Sequence, residues 1–149
     1  MRIKWKPIRN VFLVFILAAI VIVAIVLITI HRDFGSKESV ISLDYPKTES
    51  RLYCHVKYTG LTGDHRVVAI STQVSGESVY DSLHSYLFYG LSRMFLKASE
   101  DTLFIYTITR AQPPSKFDSG IVIVQAELDN VEMGKLSQSW KKMGLIPVE

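Results

Sequence analysis

Hydrophobic and polar positions divide this chain into two regimes. Residues 11–30, VFLVFILAAIVIVAIVLITI, are apolar without a charge, with Thr29 as the one hydroxyl, whereas beyond His31 the apolar residues recur in short alternating or stepped runs. A helix of roughly 20 residues at about 1.5 Å each reaches the hydrocarbon thickness of a bilayer, and it satisfies its own backbone polar groups in lipid. The run predicts one transmembrane helix over 11–30.

Period-two patterns rich in β-branched and aromatic residues follow at 40–45 (VISLDY), 51–58 (RLYCHVKY) and 66–74 (RVVAISTQV). Their short connections, the second holding Gly60 and Gly63, predict an antiparallel meander. From Val79 the spacing changes to three and four, through Leu83, Tyr86, Leu87, Gly90, Leu91, Met94 and Ala98, which predicts a helix with Ser78 and Asp81 as a capping box. A second stripe on it, Tyr80, His84, Phe88 and Phe95, exceeds what one sheet face covers. Two further strands are expected at 102–110 and 120–128, separated by a loop containing Pro113 and Pro114. The second has apolar residues on both faces and is placed inside the sheet. A last helix is expected from the Asp129/Glu132 cap to Gly144, with Met133, Leu136, Trp140 and Met143 as its apolar stripe.

The predicted order is therefore an N-terminal transmembrane helix followed by β-β-β-α-β-β-α. This is an α+β class with a mostly antiparallel five-stranded sheet and two helices. The divisions are a cytoplasmic tail at 1–10, a signal-anchor at 11–30, a linker at 31–38 and one extracytoplasmic domain at 39–149.

Charge sets the orientation. Arg2, Lys4, Lys6 and Arg9 precede the span and only Arg32 and Lys37 follow it closely, so the N-terminus is expected in the cytoplasm and the C-terminal domain in the periplasm. A cleaved signal peptide is the alternative, but its apolar core is usually about 7 to 15 residues and ends in a small-x-small step; here the run leaves through Thr29, Ile30, His31 and Arg32. The basic pI of about 9.0 arises from this tail, because from His31 onward 13 Lys and Arg stand against 14 Asp and Glu. A nucleic-acid partner thereby loses its electrostatic argument. Cys54 is the single cysteine, which excludes an internal disulfide, and on its strand it shares a face with Leu52, Val56 and Tyr58. Neither Asn10 nor Asn130 begins an Asn-x-Ser/Thr acceptor, in keeping with a bacterial setting.

Candidate chemistry is sparse. Cys54 and His55 are adjacent on a strand and point to opposite faces, so they make no thiol–imidazole pair, and His55 is expected half-exposed. His55, His65 and His84 occur without metal-ligand spacing, and neither a nucleophile elbow nor a phosphate loop is present. No catalytic residue, metal or cofactor is expected. The reading is a single-pass inner-membrane protein, a non-enzymatic assembly or interaction subunit of a bacterial cell-envelope complex. Its partners are the lipid bilayer and other envelope proteins, itself included, through a surface of Tyr80, His84, Phe88 and Phe95. The alternative is a membrane-tethered periplasmic ligand-binding or sensing domain with Tyr86, Phe88 and Tyr106 lining a pocket.

Overall fold

The computed structural model describes residues 15–26, 37–60, 65–90 and 92–149. The chain divides into two units, Met1–Gly35 and Ser36–Glu149. In the first, 15–26 form a helix, α1, whose side chains are all exposed, among them Phe15, Leu17, Ile20 and Ile22. These residues lie within the predicted span, and its remaining positions, 11–14 and 27–30, fall outside the described residues. No helix among the described residues is long and apolar enough to cross a membrane.

The second unit is α+β, but it holds two four-stranded sheets in place of the single five-stranded sheet expected. Sheet A is the antiparallel series β1 (Lys37–Tyr45), β2 (Ser50–Thr59), β3 (His65–Ser71) and β4 (Tyr86–Tyr89). Its first three strands are the predicted meander. Sheet B has the order β7-β6-β5-β8, built from β5 (Met94–Ser99), β6 (Thr102–Thr107), β7 (Val122–Glu127) and β8 (Ile146–Val148). The β5–β6 and β5–β8 pairs are antiparallel, while β6–β7 is parallel. The parallel pair follows from the long connection at 108–121, since strands joined by a crossover rather than a tight turn can run the same way.

Alternation on both sheets feeds one core. Leu52, Cys54 and Val56 of β2, Val68 and Ile70 of β3, Phe88 of β4, Met94 and Leu96 of β5, and Leu103 and Ile105 of β6 are buried together. A smaller cluster joins Phe95 of β5 to Met133, Leu136 and Leu145, so α2 (Asn130–Ser139) packs on the opposite face of sheet B.

The predicted helix from Val79 to Ala98 does not form. Its place is taken by a 3-10 turn at Glu77–Tyr80, a tight turn, and the strands β4 and β5. The 3-10 turn is preceded by Gly76 and has no side-chain cap from Ser78. A strand buried on both faces is apolar at consecutive positions, as Met94, Phe95 and Leu96 are, and such a run satisfies a three-and-four template by coincidence. Gly90, at φ 102, closes β4 with a backbone turn that L residues rarely adopt.

The C-terminal helix starts as expected. Asp129 accepts from the Glu132 amide at 2.7 Å, and the Asp129 amide donates to the Glu132 carboxylate at 3.0 Å, a complete capping box. It ends earlier than expected, at Ser139, where Ser137 and Ser139 hydroxyls donate back to the Met133 and Lys135 carbonyls at 2.8 and 3.1 Å. Gly144, at φ 65, then turns the chain into β8, a strand for which a segment as short as Ile-Pro-Val carries no alternation signal. Pro147 is compatible with it because β8 is an edge strand.

Candidate functional site

The four residues expected to share a partner face are distributed over the fold. Phe88 is buried between the sheets, and Phe95 is buried beneath α2 on the other side of sheet B. Tyr80 ends the 3-10 turn, and His84 lies in the next turn, where its Nδ1 is 2.8 Å from Asp81. Asp81 also accepts from the Leu83 amide at 3.0 Å, and this backbone bond, ahead of His84, holds its carboxyl below the usual range. The aromatics Tyr86, Phe88 and Tyr106 do not line one pocket either: Tyr86 packs edge-on to Phe117 at 5.1 Å, while Tyr106 belongs to the α2 cluster.

Tyr80 participates in a polar network that sequence reasoning missed. His55, expected half-exposed, is 1% exposed, with Nε2 2.9 Å from the Gln73 carbonyl and Nδ1 3.3 Å from the Glu38 carboxylate. The Tyr80 hydroxyl donates to the same Glu38 oxygen at 2.9 Å, and its ring stands edge-on to the imidazole. Ser78 donates to the side-chain carbonyl of Gln73. Burial, then the Glu38 hydrogen bond, raises the Tyr80 phenol above its ordinary range. The available signal was Ala69, which faces His55 across the β2–β3 pair and leaves space for a ring. Both imidazole nitrogens are engaged and the ring is shut off from solvent. The network therefore presents no free base; it fastens the segment after β3 onto sheet A.

Cys54, on the inner face, is fully buried, and burial pushes its thiol up to about 12, so it is not a nucleophile at neutral pH. Among the described residues, no group of three or more His, Cys, Asp or Glu is placed to hold a metal ion.

Two surface features bear on binding. The first is a cleft of about 380 Å³ between β3, β8 and the end of α2, lined by Arg66, Arg93, Phe95, Trp140, Pro147 and Glu149 among others. Arg66 is buried in this lining and donates to the Ser92 carbonyl at 2.8 Å and the Val148 carbonyl at 3.3 Å. The second is the β7 edge of sheet B. Expected inside the sheet, β7 pairs with β6 alone and exposes Val122 (54%) and Val124 (38%), while Ile123 packs toward the core. Its apolar residues on two faces thus serve a core on one side and solvent on the other. Comparison with protein families, with curated proteins and with solved structures finds no match to this chain.

Proposed function

We propose that the chain is a membrane-anchored, non-enzymatic assembly or interaction subunit of a bacterial cell-envelope complex, held by its apolar N-terminal segment and presenting the 36–149 unit on the periplasmic side. The observation that carries the interaction reading is the β7 edge. An edge strand offers a row of unpaired backbone groups, and proteins ordinarily protect it with lysine, proline or a bulge. β7 reads Val-Ile-Val-Gln-Ala-Glu, with no basic residue, no proline and two exposed valines beside the half-buried Phe104 with which Val124 is in register. Such an edge is suited to taking up an extended segment of a partner as a further strand. The anchor is supported by the charge-free run at 11–30 and by the exposed apolar side chains of α1, which find no cover in water. Phe88 and Phe95, being buried, contribute to folding, so the partner surface is assigned to β7.

The test is the double variant Val122→Lys/Val124→Lys, since neither side chain is in a core. The protein stays folded, by an unchanged circular dichroism spectrum and melting temperature, and loses the proteins that co-purify with the full chain in mild detergent. A variant that retains the same partners sinks the assignment.

A further inference from the structure

Arg66 is a buried arginine without an ion-pair partner among the described residues. It is 7% exposed, its guanidinium donates to two backbone carbonyls, and its Nε has no hydrogen-bond partner. Among the described residues no carboxylate lies within ion-pair distance of it. Carbonyl oxygens carry only partial charge, so a full positive charge persists in a low-dielectric surround, where an uncompensated ion is costly. Arg66 belongs to the lining of the cleft of about 380 Å³, a volume in the range that takes small organic ligands. Arg93 stands exposed in the same lining, and Glu149 is its one acidic residue among those described. Trp140, Phe95 and Pro147 supply apolar wall.

We propose that this cleft binds a small organic monoanion, a carboxylate carried on an aromatic or aliphatic body. Arg93 contacts the carboxylate, the charge of Arg66 stabilises it, and the body lies against Trp140 and Pro147. A guanidinium matches a planar carboxylate through two parallel hydrogen bonds. Glu149 opposes a second negative charge, which favours a monoanion over a phosphate dianion. The inference goes beyond the interaction reading and stands whether or not β7 takes a partner.

Phenylacetate is a suitable probe, titrated into the full chain in mild detergent and followed by the fluorescence of Trp140 in a Trp5→Phe background. The expected result is a saturable change that weakens about tenfold or more in Arg93→Gln, through loss of a charge-assisted contact. Arg110→Gln, a residue outside this cleft, leaves it unchanged. Because Arg93 is exposed, its variant stays folded and remains informative even where Arg66→Gln unfolds. Absence of a saturable change, or equal affinity in Arg93→Gln, overturns the site. Displacement of phenylacetate by inorganic phosphate at lower concentration than by acetate overturns the monocarboxylate class.

Discussion

At the scale of single residues, two neighbours show how a strand separates chemistry. Cys54 and His55 point to opposite faces of sheet A, as alternation requires, yet both are buried because the sandwich core covers one face and the segment holding Gln73 and Tyr80 covers the other. Burial raises the Cys54 thiol from 9.0 to about 12 and the Tyr45 phenol from 10.0 to about 12. A group whose folded pKa is raised contributes stability that is complete below its unfolded pKa and is lost as pH climbs toward the folded one. The contribution of these two groups to the denaturant midpoint is therefore constant through neutral pH and falls above pH 9.0, the ordinary thiol value. Cys54→Ala lessens that alkaline slope without abolishing it, Tyr45 remaining; an unaltered slope in Cys54→Ala contradicts the assignment. Phe88→Ala costs about 3–5 kcal/mol in equilibrium unfolding, as for a large core side chain, and Phe88→Asp leaves no folded protein. Tyr80→Phe, which removes one hydroxyl at a half-buried position, costs about 0.5–1.5 kcal/mol. A Phe88→Ala loss no larger than that of Tyr80→Phe contradicts the burial of Phe88.

At the scale of elements, local chemistry was readable where the element carries its own signal. The cap of α2 is one example, because Asp129 and Glu132 satisfy each other's backbone amides within four residues. Asp129→Ala lowers stability by about 1 kcal/mol, checked by thermal unfolding, and Glu132→Ala by a smaller amount. The stripe of that helix was readable only in part. Met133 and Leu136 are buried, but Trp140 is half-buried and Met143 exposed, because the helix stops at Ser139. Trp140→Ala consequently costs less than the about 3–5 kcal/mol expected of a fully buried indole. The pattern from Val79 to Ala98 resembles a helix for a related reason: its apolar residues serve two cores, and no period distinguishes that from a broad helical face.

At the scale of the whole molecule, both hydrophobic clusters lie within Ser36–Glu149. A fragment beginning at Ser36 folds cooperatively, with one unfolding transition by near-ultraviolet and far-ultraviolet circular dichroism. Two separated transitions indicate that the sheets are not one cooperative unit. On the proposed orientation, which rests on four basic residues ahead of the apolar run against two soon after it, a reporter active only in the periplasm works when fused after Glu149. A reporter active there only in its cytoplasmic form reverses the orientation.

The amino-acid sequence by itself determined the features that depend on neighbours a few residues apart. These are the three-stranded meander, the burial of Cys54 with Leu52 and Val56, the strands at β6 and β7, and the capping box of α2. Each rests on alternation, turn chemistry or a cap, which act over a short stretch of chain. The tertiary structure decided what depends on distant partners. It decided the split into two sheets, because β5 pairs with β8 about fifty residues on. Exposure on β7 and burial at His55 followed likewise from which segments cover each face. The Arg66 cleft has the same origin, since Arg66, Arg93 and Trp140 are far apart in the chain and only the docking of β8 and α2 brings them to one place.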